Sequence, residues 1–269
     1  MPNPTRKLAF VTAATEHGTL ILNRFDQYIE GEKGCGVGLQ LLEKACYDPD
    51  EVGLLLHALD LRRLCYGDGV IAVDCGANIG VHTIEWARHM TGWGAVLAIE
   101  AQERVFYALA GNIAINNCFN ARAFNAAVAS KPGTMKIPVP NYTTSGSFGS
   151  LEMKWRAKAE FIGQPIDYAE DKMADVQTLS LDSLNLSRID LIKIDVEGME
   201  LDVLHGAADC IAKLHPMLLI ETIKSDKDAI RAWLQNLGYT TLDVGFNFFA
   251  IHGADKGLAH IKLSKPAAA

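Results

Sequence analysis

The sequence predicts an α/β fold: a doubly wound, mostly parallel seven-stranded sheet with an N-terminal β-hairpin and helical extension and an antiparallel C-terminal edge strand. Three observations predict it. From about residue 70 onward, apolar runs of strand length alternate with amphipathic runs of helix length. A glycine-flanked turn, "CGANIG", leads from the first of those strands into a helix. The last two strand-like runs, "YTTLDVG" and "FNFFAIH", follow one another with no helix between them, as a hairpin does. The 269 residues suit one large domain with an extra lobe. We expect an extension, 1–49, packed on a core domain, 50–269, that carries an insert at about 131–175.

Each element follows from its own stretch. "LAFVTA" and "TLILNRF" flank the turn "TEHG" and read as two strands. The opening "TRKLAFVTAAT" has the basic-then-apolar order of an export signal, but its apolar patch is short and the strand reading is preferred. "GEKGCGVG" (31–38) reads as a flexible loop. "LQLLEKACYDPDEVGLLLHALDLRRL" is helical in period, interrupted near Pro49. "VIAVDCG" is a buried strand, "NIGVHTIEWARHM" starts a helix, and "GAVLAIE" is the second strand. "ERVFYALAGNIAINN" places Val105, Leu109 and Ile113 on one stripe, with Phe106 and Ala110 beside it. "ARAFNAAVA" reads as the third strand.

The polar stretch containing "NYTTSGSFGS" then breaks the rhythm, which resumes after "VQTLSLDSL" with the strand "IDLIKIDV". "GMELDVLHGAADCIAKL" is helical with a break near Gly206, and "PMLLIE" is a strand. "SDKDAIRAWLQNLG" is a helix with Ser225 as N-cap, Asp228 at N3 and Gly238 as its stop.

Composition narrows the partners. A formal net charge of −7 argues against coating nucleic acid or an anionic membrane. Trp86, Trp93, Trp155 and Trp233 form no stacking ladder with basic residues, so no nucleic-acid partner is expected. No apolar run approaches the roughly 18 residues that span a bilayer, so no integral membrane segment is expected. Six cysteines (35, 46, 65, 75, 118, 210) lack any CxxC pair and read as reduced thiols in a cytoplasm-like compartment. The eight histidines show no HxH, HxxH or HExxH spacing. His82, just inside the turn, either faces a ligand or caps the core, and the second is preferred. Tyr142, Ser145, Ser147 and Phe148 lie in a loop able to close over a ligand, and a surface loop with turn residues explains them equally well. Nothing fixes the oligomeric state.

"VIAVDCGANIGVHT" (70–83) carries the most information. Open α/β sheets bind ligands at the carboxyl ends of their strands. Gly76 and Gly80 allow close backbone approach, and the following helix presents unpaired N–H groups. Glu100 ends the next strand, where a carboxylate accepts two hydrogen bonds from a ribose diol. The site suits a nucleoside. The pyrophosphate fingerprint G-x-G-x-x-G lacks its first glycine here, replaced by Asp74. An acid repels a diphosphate and favours a cationic amino-acid moiety, which points to S-adenosylmethionine rather than a nicotinamide dinucleotide.

This stretch resembles motif I of class I S-adenosylmethionine-dependent methyltransferases. Together with "AIEAQERVFYALAGNIAINN" and "IDLIKIDVEGMELDVLHGA" it is similar to the FkbM family, over about residues 50–252. "NRFDQYI" (23–29) resembles that family's N-terminal segment. The resemblance implies a Rossmann-like methyltransferase acting on a hydroxyl of a sugar, glycan or secondary metabolite. It implies that Asp74, Cys75, Gly76, Ala77, Asn78 and Gly80 surround the methionine side of the cofactor. Glu100 would hold the ribose, with Ala101 and Gln102 beside the adenosine, and Phe124, Asn125 and Ala126 near the adenine. The six cysteines and the 140–175 details depart from a typical member.

"LIKIDVEGME" (191–200) sets one base and three acids at the end of an apolar strand. Alternation puts Lys193 and Asp195 on one face with Leu191, and Ile192, Ile194 and Val196 on the other. Burial of an unpaired charge costs several kcal/mol, so Lys193 should pair with Asp195, Glu197 or Glu221. Three readings compete with a plain salt-bridged strand end. Asp195 contacts the cofactor or the acceptor; Lys193, Asp195 or Glu197 is a general base; or Asp195, Glu197 and Glu221 hold a hard cation. The first is favoured, and no metal is expected. The leading expectation is an O-methyltransferase for a small-molecule or glycan acceptor. The alternatives are a nicotinamide-dependent oxidoreductase and a catalytically inactive binding protein of the same fold.

Overall fold

The computed structural model describes residues 7–31, 33–157 and 159–260. The ends of the expected extension and core domain, 1–6 and 261–269, lie outside these residues. Two hairpins open the chain: β1 (Phe10–Thr15) with β2 (Gly18–Asn23), and β3 (Tyr28–Glu30) with β4 (Lys33–Cys35). Helices α1 (Val37–Lys44) and α2 (Pro49–Tyr66) follow. The expected loop at 31–38 is therefore mostly ordered structure. Its glycines misled: Gly36 (φ 119°) packs against the Asp26 carbonyl and α1 starts directly after it.

The alternating part comprises β5 (Val70–Cys75), α3 (Val81–His89), β6 (Gly94–Glu100), α4 (Glu103–Ile115) and β7 (Ala121–Asn125). The insert contributes β8 (Ala127–Val128), β9 (Gly133–Pro138) and β10 (Met173–Leu179). Then come β11 (Leu191–Ile194), α5 (Glu200–His205), α6 (Ala208–Leu214), β12 (Met217–Glu221), α7 (Lys227–Asn236), β13 (Tyr239–Val244) and β14 (Asn247–His252).

Seven strands form one sheet in the order β13-β14-β12-β11-β5-β6-β7. The pairs from β12 to β7 are parallel, and β14 runs antiparallel to both β12 and β13. The terminal hairpin makes the edge, with β14 inserted inside and β13 outermost. Chain order reverses between β5 and β11, so their carboxyl ends open a crevice. The run "ARAFNAAVA" splits at Ala126: β7 stays in the main sheet, while β8 pairs with β10 and β10 with β9 in a second, three-stranded sheet.

Apolar side chains cover both faces of the main sheet, as parallel strands require. Leu191, Val70, Ala72 and Leu219 pack with α2, α3 and the hairpin residues Leu20 and Leu22. Ile192, Ile194, Val73, Leu218 and Ile220 pack with α5 and α6. Asn112 of α4 is fully buried because it is fully used: it accepts from Ile21 N and donates to the carbonyls of Ile21 (3.1 Å) and Ile79 (2.8 Å). One side chain thus ties hairpin β1–β2 to the turn after β5. The N-cap of α7 is Asp226, not Ser225: its carboxylate accepts from Ala229 N at 2.9 Å. Ser225 is drawn away to donate to Glu200. No helix among the described residues is long and apolar enough to cross a membrane.

Candidate active site

A cavity of about 830 Å³ opens at the switch point between β5 and β11. One wall is the turn Gly76, Ala77, Asn78 and Ile79 with Glu100, Ala101 and Gln102. Glu100 is buried; its Oε2 accepts from Asn78 N (3.0 Å) and its Oε1 from Gln102 N (2.7 Å). Each oxygen has two lone pairs, so each retains one for a ligand hydroxyl. Burial, and then Asp195 and Asp74, push this carboxyl up to about 7 against those two N–H bonds. Ala126, Ala127, Val128 and Met153 add an apolar slot beside it. A carboxylate with spare lone pairs beside an apolar slot fits a ribose and a purine ring. The carboxylates of Asp195 and Glu197 fit the cationic end of S-adenosylmethionine.

The turn's glycines are required by the protein's own packing. Gly76 has φ 79°, and a Cβ there meets the Asp195 carbonyl oxygen at 1.7 Å. Gly80 has φ 92°, and its Cβ meets Leu109 at 2.6 Å. They let β11 and α4 press against the turn.

Four expected cofactor residues do not line the cavity: Asp74, Cys75, Gly80 and Asn125. Asp74 is buried and accepts from Thr83 Oγ1 at 2.6 Å. It pairs with Lys193 across β5 and β11. Cys75 points into the core among Ile192 and Ile194. Asn125 donates to the carbonyls of Glu100 (2.9 Å) and Ala101 (3.2 Å), shaping the wall from behind. Phe124, offered for the adenine, is also absent from the lining, whereas Ala126 is present.

The opposite wall comes from β11, β12 and both ends of the chain. Lys193 donates to Asp195 Oδ2 at 2.8 Å. Burial opposes the charge of Lys193, but Asp195, Asp74 and Glu51 outweigh it and hold the ammonium above its ordinary value. In this geometry Lys193 is the charge partner of Asp195. Lys224 Nζ lies 2.6 Å from Glu197 and 2.9 Å from Glu160, and donates to the Ser150 carbonyl at 2.7 Å. Glu197 adopts φ 56°, a backbone cost tolerated where surrounding bonds fix it.

Glu200 is that fixing group, accepting from Val196 N (3.2 Å), Gly198 N (3.1 Å) and Ser225. Oxygens of Asp195, Glu197 and Glu221 lie within 4.8 Å of one another. Lys193 and Lys224 already compensate two of the three.

Pattern reading missed several lining residues. Tyr47, Asp48 and Glu51 enter from the start of α2, and Phe246 and Asn247 from the terminal hairpin. Asn247 donates to Glu51 Oε2 at 2.6 Å, joining the two. His82 lines the cavity, buried, with Nε2 3.1 Å from Glu51 Oε1; the preferred core-capping reading omitted this. The only signal was its place one residue past the turn. The loop of Tyr142, Ser145, Ser147 and Phe148 is pinned: Tyr142 donates to Gln102 (3.0 Å), Gln102 to the Phe148 carbonyl (2.8 Å), and Phe148 N to Asp26 (2.9 Å).

A family model described as "Methyltransferase FkbM domain" matches residues 74–241. Two curated relatives are similar. "Methyltransferase 1" of Beauveria bassiana is 27% identical over 61% of this chain and 68% of its own length. "Methyltransferase sdnD" of Sordaria araneosa is 26% identical over 68% of this chain and 78% of its own. Among solved structures, a methyltransferase FkbM from Methylobacillus flagellatus aligns with TM-score 0.47 and 18% identity, over 69% of this chain and 44% of that one. This chain therefore spans less than half of that protein.

Proposed function

This chain belongs to the FkbM methyltransferase family, and from that premise we propose that it transfers a methyl group from S-adenosylmethionine to a hydroxyl of a sugar, glycan or secondary metabolite. The family assignment sets aside the oxidoreductase alternative, and methyl transfer by the intact protein separates an enzyme from an inactive member of the same fold. The observation that carries the finer reading is the two-walled cavity: a ribose-fitting wall at Glu100 faces a carboxylate-lined wall at Asp195, Glu197 and Glu221. S-adenosylmethionine supplies an electrophilic methyl group on a sulfonium.

The chain's own residues do the rest. Gly76, Ala77 and Asn78 border the cofactor's methionine end, and Glu100, Ala101, Gln102 and Ala126 its adenosine. Asp195, held by Lys193, faces its cationic centre. Asp74, Cys75, Gly80 and Asn125 position this wall from behind. Alignment of the acceptor oxygen with the methyl carbon, and exclusion of water, supply most of the acceleration. Asp48, Glu51, Asp195, Glu197 and Glu221 disfavour anionic acceptors, so a neutral or cationic acceptor fits. The extension 1–49 belongs to this proposal as a contributor to the acceptor side, through Val37, Tyr47 and Asp48. All six cysteines are free thiols, which supports a reducing, cytoplasm-like compartment.

Calorimetry with S-adenosylmethionine and S-adenosylhomocysteine tests the cofactor. Wild type binds both, and Glu100→Ala loses on the order of tenfold in affinity. Mass spectrometry of a source-cell extract, with and without the enzyme, should reveal a product heavier by one methylene. If the intact protein binds neither compound, the reading is wrong.

A further inference from the structure

We propose that Glu221 is the general base of the reaction: its carboxylate takes the acceptor's hydroxyl proton as that oxygen receives the methyl group. The inference rests on the O-methyltransferase reading above.

Four carboxylates crowd the carboxyl ends of β11 and β12, and three are committed. Asp195 is clamped by Lys193, Glu197 is ion-paired with Lys224, and Glu200 braces the loop through two backbone amides and Ser225. Glu221 has neither hydrogen bond nor ion pair among the described residues, and it lines the cavity. A base needs a free lone pair directed at the ligand, and an ion-paired carboxylate turns its lone pairs toward its partner.

The groups around Glu221 complete the case. Asp195 and Glu200 raise its proton affinity, while Lys193 and Lys224 lower it. With burial as the largest cause, the balance is upward, to about 8. From α2 and α3, His82 Nε2 lies 3.1 Å from Glu51 without a hydrogen bond, while Glu51 accepts from Asn247 and so is not a free base. Asp48, also on this wall, is likewise raised, by burial and then Glu51, while His82, Lys193 and Asp195 lie within its reach. The Tyr47 phenol is pushed far above neutrality by burial and then Asp48 and Asp195, so it stays protonated.

Position agrees. Glu221 is the last residue of β12 and pairs in register with Asn247. Beside it, Ile223 and Phe246 line the cavity and are 56% and 73% exposed. The base therefore stands where an acceptor with an apolar flank enters, away from the ribose wall. The step balances. The acceptor's O–H bond breaks and its proton goes to Glu221. The electron pair left on oxygen forms the new O–CH₃ bond, and the S–CH₃ pair remains on sulfur. One negative and one positive charge disappear together.

Two readouts test this. Isotope-edited infrared titration of the free protein should show a protonated carboxyl band that is lost near pH 8 and is absent in Glu221→Gln. Labelled methyl transfer from S-adenosylmethionine into a source-cell extract should show wild-type kcat/KM rising with pH and levelling above that titration. Glu221→Gln should lose on the order of 100-fold or more and flatten the profile, while its calorimetric affinity for S-adenosylhomocysteine stays within about twofold. Glu221→Asp should recover part of the rate. A band that persists in Glu221→Gln, or transfer by that variant with the wild-type rate and profile, overturns the base assignment alone. Failure of the wild type to bind S-adenosylhomocysteine or to transfer label overturns the methyltransfer reading and this proposal together.

Discussion

At the amino end of β11, Asp190 is 0% exposed and accepts from Arg62 Nε (3.1 Å), Arg188 Nε (2.7 Å) and Ile71 N (2.9 Å). Arg62 also reaches Asp255, which is itself buried. At the carboxyl end of the same strand, Asp195 is 33% exposed and meets Lys193, while Glu221 beside it has no partner among the described residues. The two ends hold similar charges in opposite states. Below, every lone pair that can be reached is taken, so the charges act as a fastener between α2, β5 and β11. Above, bonding capacity is left over beside an 830 Å³ cavity. Buried charge that is saturated holds a fold together, and buried charge that is not saturated is available to a ligand or a proton.

The largest effect should come from breaking the lower end. Asp190→Ala leaves the Arg62 and Arg188 guanidinium groups without their shared carboxylate. We expect a loss of about 3–5 kcal/mol, read as a lower urea midpoint at unchanged slope. A loss under about 1 kcal/mol would mean that saturation is not what makes this end structural. The next largest comes from a steric change at the upper end. Gly76→Ala sets a methyl 1.7 Å from the Asp195 carbonyl at φ 79°. We expect it to cost about 1–3 kcal/mol and to weaken S-adenosylhomocysteine binding as β5 and β11 are forced apart. Unchanged binding and stability would contradict the packing role of this glycine.

Lys193→Met tests the upper end. Asp195 is partly solvated and can relax into water, so the expected loss is about 1–2 kcal/mol, below that at Asp190. Removing the ammonium also removes a charge that favours ionised Glu221, so the infrared titration near pH 8 should move upward. A downward move would show that Lys193 does not act on Glu221 in this way.

The division between legible and illegible residues follows the same geometry. Lys193 and Asp195 are two apart on one strand, so alternation alone put them on one face and made them partners. Strand β5, the turn and Glu100 were equally legible, because each lies within one βα unit. Glu51, His82 and Asn247 were not. Their contacts join α2, α3 and β14, and no local period encodes a pairing across so much chain. The glycines were legible as a turn, but one body that needs Gly76 to lack a side chain was not: the Asp195 carbonyl, which only the folded chain brings there. Glu200 is the first residue of α5, an acid at a helix start, and it also braces its loop, because Ser225 returns to it from beyond β12.

The effect that is smallest in acid is the one that sharpens the comparison most. Glu221 carries a raised proton affinity, so it is protonated in the folded protein over a range where the unfolded chain is ionised. Its contribution to stability is fully present below the unfolded value near 4.5 and is lost as pH rises through about 8. Glutamine copies the protonated acid in shape and neutrality. Glu221→Gln should therefore match the wild type within about 0.5 kcal/mol at and below the unfolded value near pH 4.5. It should then become the more stable of the two as pH rises from there, the gap levelling off above about 8, because only in the wild type does the unfolded chain ionise before the folded one. Glu100, raised to about 7, gives the shared background decline in both proteins, so the difference between the two urea curves isolates Glu221. The matching substitution below, Asp190→Asn, should destabilise across the same range. A saturated carboxylate has no protonated state for an amide to copy. Parallel curves for wild type and Glu221→Gln would place Glu221 in the same class as Asp190 and remove the distinction between the two ends of the strand.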